Sequence, residues 1–150
     1  MKMINQFTGS YSFLSNFYLS PIVYENRVYK TVEHFYQASK TDDLILKTQI
    51  IDCESPADAK AMGKKVPLIT EWLQKRDSVM ETGLDLKFAI PDLKNQLLST
   101  GDAELIEGNF WHDTYWGVDL RTGQGFNILG KMLMKLRYRL TMDQIQGSLI

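Results

Sequence analysis

Three stretches of this sequence concentrate the residue types that move protons, hold phosphates or stack on flat rings. The segment E-G-N-F-W-H-D-T-Y-W-G holds the carboxylates Glu107 and Asp113, His112, and the aromatics Phe110, Trp111, Tyr115 and Trp116. Aromatic faces stack on heterocyclic bases, and a carboxylate stabilises a developing sugar cation or transfers a proton. The same residues also fit a structural role, with the rings in a core and Asp113 capping a turn. The second stretch is R-T-G-Q-G-F-N, in which Gly123 and Gly125 allow backbone N–H groups to turn toward an anion at a helix start. Its spacing matches neither common phosphate-loop pattern, and on composition alone an ordinary turn accounts for it better. Between residues 121 and 140 the chain carries Arg121, Lys131, Lys135, Arg137 and Arg139 and no acid. The third candidate is Glu33, followed at helical spacing by Gln37 and Lys40, a stripe that suits either a cleft or a solvated face.

These residues must be held by local structure. Ile22–Tyr24 and Arg27–Tyr29 read as short strands joined by a Glu25-Asn26 turn. Thr31 is a good N-cap for a helix through Lys40, with Val32, Phe35 and Ser39 on one face. Asp42 or Asp43 can cap a second helix, L-I-L-K-T-Q-I-I. Ser55-Pro56 starts a third, which Gly63 is placed to end. Thr70 is the expected cap of the longest helix, from Glu71 to about Ile90, and Pro91 restarts a short helix that stops at Gly101. On the long helix Trp72, Arg76, Val79, Gly83 and Lys87 fall roughly on one side, where Arg and Lys can snorkel along a partly buried face. Brief strands are expected at Leu105 and around Tyr115-Trp116. Ile128, Met132, Leu136 and Leu140 define an amphipathic helix from Asn127. Helices with a few short strands, not in βαβ order, predict an α+β fold.

The chain has 150 residues, the length of one ordinary domain, and no repeat or linker divides it. The expected domain is residues 1–145, with 146–150 as a short tail. Lys and Arg number 17 against 18 Asp and Glu, a formal net charge of -1, which argues against a protein that coats duplex nucleic acid. Cys53 is the one cysteine, and His34 and His112 stand 78 positions apart, so neither a disulfide nor a histidine-cysteine metal site is expected. No apolar run reaches membrane-spanning length and no signal-peptide core is present, which predicts a soluble, cytoplasmic protein.

The fragments F-L-S-N-F, T-V-E-H-F-Y-Q-A-S-K, A-K-A-M-G-K-K-V, W-L-Q-K-R, L-K-F, T-G-D-A-E-L-I-E, D-T-Y-W-G and G-F-N-I-L-G-K-M-L-M-K-L-R follow one another from Phe13 to Arg137. In that order they resemble the NADAR/YbiA-like family. The departures are mild: Lys64-Lys65 follows Gly63 where an Arg is frequent, and the stretch after Lys40 is short and acidic. The resemblance implies an α+β fold and N-glycosidase activity without a cofactor or metal. The implied substrates are phosphoribosylated riboflavin-pathway intermediates or ADP-ribosylated guanine, the latter in DNA or RNA; a non-catalytic ADP-ribose-binding module is the rival reading. In this reading Glu33 or Asp113 stabilises or attacks the ribosyl carbon, and the other, or Glu107, moves the proton. Alternatively the neutral amine of Lys40 or Lys87 captures that carbon as a Schiff base. Trp72 and Trp116 are expected to stack on the base. Asn127, Lys131 and the Gly123–Gly125 loop are expected to orient phosphate or ribose, with Asn16 and Arg76 also in the binding set.

Overall fold

Strands and helices alternate irregularly along the chain. A computed structural model describes residues 2–149. In order it has β1 (Met3–Ile4), a 3-10 helix (Gly9–Leu14), β2 (Ile22–Tyr24), β3 (Arg27–Tyr29), α1 (Val32–Ala38), α2 (Leu44–Ile51), α3 (Pro56–Gly63) and α4 (Trp72–Phe88). There follow α5 (Pro91–Ser99), β4 (Glu104–Leu105), β5 (Gly108–Asn109), β6 (Val118–Asp119) and α6 (Ile128–Ser148). The α+β class expected from the sequence holds. The chain divides into two compact units, one formed by the chain up to Ser15 with the chain from Ile90 onward, the other by Asn16–Ala89.

In the Asn16–Ala89 unit, β2 and β3 pair antiparallel with Tyr24 opposite Arg27. The two residues between them, Glu25 and Asn26, both take positive φ, 48° and 63°, which matches the twist of the flanking strands. Three helices begin where side chains replace missing intrahelical bonds: the Thr31 hydroxyl accepts from His34 N, Asp43 from Ile45 and Leu46 N, and Ser55 from Asp58 N. Ile22, Tyr29, Phe35, Ala38, Ile50, Ala59 and Val66 form one core cluster, with Phe35 edge-on to Tyr29 at 5.2 Å between ring centres. The α4 start differs from expectation. Glu71, not Thr70, is the boundary residue, at φ 62° and without a side-chain cap. Gly63 also departs from its expected role, because it is the last helical residue and has no positive φ.

In the other unit, β1 pairs parallel with β4, and β5 pairs parallel with β6. The strand expected around Tyr115-Trp116 is absent. That segment is a turn whose N–H groups are taken by the Asp113 carboxylate, which removes them from any ladder. The α6 helix has 21 residues and is longer than α4, and it runs through Ser148, past Leu140, the last residue of the expected amphipathic pattern. Its buried line is Leu129, Leu133 and Leu136, with Ile128 and Met132 half-buried beside it, so the inward face is centred one residue from the expected stripe. Gly130 has no room for a Cβ against the Leu105 carbonyl and the Asn127 side chain, which lets α6 approach β4 closely.

Arg137 belongs to this core. Its guanidinium donates to Thr100 Oγ1 and to the Ala103 carbonyl, both at 2.8 Å, and fixes the turn between α5 and β4. The acid-free run of cations is therefore not one surface: Arg121, Lys131 and Lys135 are exposed, whereas Arg137 is buried. Arg137→Ala is expected to lower the free energy of unfolding by about 2–4 kcal/mol, because it deletes a buried fork and leaves acceptors unpaired. Arg137→Lys should recover only part of the loss, lacking the planar fork. Lys131→Ala should stay within about 0.5 kcal/mol. Urea unfolding midpoints of the three variants check the ranking.

Candidate active site

The α1 helix has no solvent face. Every residue from Val32 to Ala38 is buried, so of the two readings of the Glu33 and Gln37 stripe the solvated face falls, and each polar side chain must be matched inside. His34 Nε2 lies 2.9 Å from the Cys53 carbonyl, which also accepts from Lys30 Nζ at 2.8 Å. A carbonyl only accepts, so Nε2 carries the proton and Nδ1 accepts from the Thr31 hydroxyl at 2.7 Å. Burial holds the imidazole below its usual pKa and hence neutral. His34 thus fastens the α1 start to the segment after α2. Neither its spacing nor its neighbours marked it in the sequence.

Glu33 is held differently. Its backbone N–H donates to the Asn16 carbonyl at 3.1 Å, and its carboxylate Oε1 accepts from Gln37 Nε2 at 2.7 Å, one turn on. Asn16 donates its own amide to Met80 Sδ at 3.4 Å. Gly83 packs against Val32 and Phe35, so the α4 line through Met80, Gly83 and Lys87 runs beside α1. Lys40, just past the helix, holds its amine 5.5 Å from the Tyr36 ring. Burial lowers the Lys40 pKa; the Glu33 charge opposes that shift, and Lys60 and Lys64 reinforce it. Trp72 is buried against Tyr36, ring centres 5.3 Å apart, so it is a core side chain where a base-stacking surface was expected. Arg76, one turn along α4, is half-buried.

Lys87 does not snorkel. It is fully buried, with its amine 5.1 Å from the Phe88 ring centre and 5.6 Å from that of Tyr18. Burial pushes its pKa down to about 7, far toward the neutral amine compared with a lysine in water.

The other unit gathers Glu107, Asp113, Asn127 and Trp116 around one connecting loop. Buried Asn109 is its clasp: Oδ1 accepts from Asp113 N at 2.9 Å, while Nδ2 donates to the Asp113 carbonyl at 2.9 Å and to Glu107 Oε2 at 3.1 Å. An Asn placed between the two acids, four positions before Asp113, is the signal that was available and went unread. Asp113 Oδ1 accepts from the N–H groups of Tyr115 and Trp116 at 3.1 and 2.9 Å, the turn-capping role weighed for it. The aromatics are not core: Phe110 and Trp111 are exposed, and half-buried Trp116 meets Tyr115 edge-on at 4.9 Å. Exposed His112 bonds Asp119 Oδ2 at 2.7 Å. That bond and the Arg121 N–H hold the Asp119 carboxyl below its usual pKa.

The expected anion nest at the α6 start is occupied by the protein itself. The N–H groups of Phe126, Asn127, Ile128 and Leu129 donate to the carbonyls of Thr114, Gly117, Tyr115 and Trp116. Gly123 N donates to the Asp119 carbonyl at 2.7 Å. Gly125, at φ 151°, passes so close to Gly117 that a Cβ would stand 2.7 Å from Val118 Cα. Asn127 accepts from Glu107 N at 3.0 Å and donates to the Leu105 carbonyl at 2.9 Å. These residues bind the loop to the helix, and their N–H groups do not face a phosphate. Lys131 remains an exposed cation on α6.

The NADAR domain model matches residues 4–141 and so runs through both units. The N-glycosidase YbiA of Shigella boydii is 35% identical over 147 residues, covering 95% of this chain and 91% of that protein. A protein of Vibrio vulnificus named for riboflavin biosynthesis is 35% identical over 134 residues, 87% of this chain and 36% of that longer protein. The NMR structure of the Escherichia coli protein YbiA superposes with a TM-score of 0.85 at 34% identity, covering 96% of this chain and 88% of that one. Among the described residues no helix is long and apolar enough to cross a membrane.

The buried lysine carries a stability signature. Its folded pKa of about 7 lies below the unfolded value of 10.5, so between these values the unfolded chain binds the extra proton. Stability from this group therefore rises with pH across that window and is at its lowest below it. Lys87→Met is expected to melt several degrees above the wild type at pH 7, a difference that shrinks by pH 10. Thermal melts of both proteins at the two pH values check this, since other titrating groups cancel in the difference.

Proposed function

We infer substrate and mechanism from one premise: the chain belongs to the NADAR domain family and is an N-glycosyl hydrolase. The reading is that it splits the C–N bond between a phosphorylated ribose and an exocyclic amine of a pyrimidine, as in riboflavin-pathway intermediates. The riboflavin-biosynthesis name of the Vibrio vulnificus relative supports that substrate class. The observation that carries the mechanism is the fully buried Lys87 amine, its pKa lowered by burial, on the α4 line that packs beside the Glu33 helix.

A ribosylamine opens to an imine at C1. The neutral Lys87 amine adds to that carbon, the base nitrogen takes up a proton and leaves as the free amine, and C1 stays linked to Lys87 as an imine. Water then adds to the imine carbon; the C–Nζ bond breaks and the sugar departs as its aldehyde, restoring the lysine. Glu33 is the proton carrier for both halves, giving a proton to the leaving nitrogen and taking one from water. Access to the amine requires the half-buried Tyr18 ring to move aside. Of the two lysines weighed from the sequence, Lys87 suits the nucleophile better, because the Glu33 charge favours the protonated form of Lys40.

Two measurements test this reading. Borohydride added during turnover should fix a ribosyl adduct on Lys87, absent in Lys87→Met; active enzyme without any adduct overturns the imine route. Glu33→Gln should lose about 10²–10⁴-fold in kcat. Mass spectrometry of a ribosylamino-pyrimidine phosphate beside an ADP-ribosylated guanosine decides the substrate class. Binding of either without turnover would leave an ADP-ribose-binding module instead.

A further inference from the structure

Gln37 and Gly63 meet where α1 crosses α3. All three nearest atoms that a Cβ on Gly63 would meet belong to the Gln37 side chain: Oε1, Cδ at 2.7 Å and Cβ at 3.0 Å. The Gln37 amide oxygen thus occupies the space that any other residue at 63 would fill. It is buried and has no hydrogen-bond partner among the described residues, while Nε2 on the same amide donates to Glu33 at 2.7 Å. The orientation is chemically fixed, because turning the amide over would set its oxygen against the Glu33 carboxylate. Gly63 has an ordinary φ, so backbone freedom does not explain the glycine.

We propose that Gln37 is a positioning residue that holds the Glu33 carboxylate in its reacting orientation, and that Gly63 is the recess that locks the Gln37 amide. This rests on the reading of Glu33 as the proton carrier. A wedge of this kind uses the close approach of two helices to aim a side chain, and it leaves an acceptor without a conventional partner as its cost. Charged and titratable side chains on α1 and the elements packed against it are His34 and Tyr36 on α1, Arg27 and Tyr29 on β3, Lys47 on α2, Asp58 and Lys60 on α3, and Lys75, Arg76, Asp77, Glu81, Asp85 and Lys87 on α4, with Lys30, Lys40 and Lys64 just past β3, α1 and α3. No variant below alters any of them, so a change in the titration of the Glu33 carboxyl, followed by NMR of labelled glutamate with Glu33→Gln as the assignment, reports the amide bond.

Gln37→Leu keeps the bulk and removes the donor. Gly63→Ala keeps the donor and pushes it aside. Each is expected to lower kcat about 10–100-fold with KM little changed, and to move the titration of the Glu33 carboxyl to higher pH, because an amide donor favours the charged carboxylate. Gln37→Ala should lose kcat to a similar extent, and adding Gly63→Ala to it should cost little more, since the Oε1 and Cδ atoms that collide hardest are gone and only the Cβ, at 3.0 Å, remains. Circular dichroism melts of each variant identify any that fails to fold, in which case Gln37→Leu carries the test alone. Wild-type kcat and Glu33 titration in Gln37→Leu, or additive losses in the double variant, overturn the proposal. Glu33→Gln separates the two levels. If it is inactive while Gln37→Leu behaves as wild type, only the positioning role falls; if it turns over normally, the reading of Glu33 falls first.

Discussion

The structure of the Asn16–Ala89 unit depends on one constraint: α1 is buried on every side and still carries Glu33, His34 and Gln37. A polar group taken out of water without a partner costs a few kcal/mol, so a helix of this composition is stable only if its neighbours are built to receive it. The surrounding elements meet that demand in turn. The Asn16 carbonyl receives the Glu33 N–H, the Cys53 carbonyl receives His34, and Gln37 lies against Glu33 with its far side in the Gly63 recess. Segments remote in sequence are thus drawn to one short helix by its polar side chains, and the apolar cluster around Phe35 fills the space between them.

The other unit solves a similar problem with backbone. The loop between β5 and β6 is placed so that its carbonyls, from Thr114 to Gly117, receive the N–H groups at and just before the start of α6. The starts of α1, α2 and α3 use Thr31, Asp43 and Ser55 side chains for this purpose; α6, like α4, begins after a residue in the left-handed region with no side-chain cap. Asn127 is thereby released to bridge Leu105 and Glu107. The Gly-rich approach makes the close passage possible, which is why it resembled an anion loop in sequence while its N–H groups serve the fold.

What the sequence made legible was local. Two-residue turns and side-chain caps are decided within a few residues, and the hairpin and the starts of α1, α2 and α3 fell where Glu25-Asn26, Thr31, Asp43 and Ser55 put them. The α4 start has no side-chain cap to read, and the Tyr115-Trp116 segment is kept from a ladder by Asp113, which takes its N–H groups, and by the α6 start, which takes its carbonyls. The aromatic-carboxylate cluster was correctly singled out as organised, yet its organiser, Asn109, carries no pattern of its own. Glu33 and Lys87 were nameable from spacing and family resemblance, but the closed burial of α1 and α4's inner face is a property of packing. Gly63 shows the limit: a glycine at a helix end reads as a left-handed cap, and only the position of Gln37 reveals a close approach.

Ionisable groups in the interior separate architecture from chemistry. Arg137 keeps its charge because two fixed acceptors face its fork, and Asp119 keeps its own because backbone N–H and His112 hold it. Both are satisfied in place and have no reason to change state at neutral pH. Lys87 answers burial by giving up its proton near pH 7, at a standing cost in stability that an apolar side chain of similar length would remove. A fold selected for stability alone has no use for that arrangement. On the proposed reading the Lys87 amine is the nucleophile and the Glu33 carboxylate beside Gln37 the proton carrier, and the interior of the Asn16–Ala89 unit carries the cost of both in a span of fewer than 60 residues, from Glu33 to Lys87.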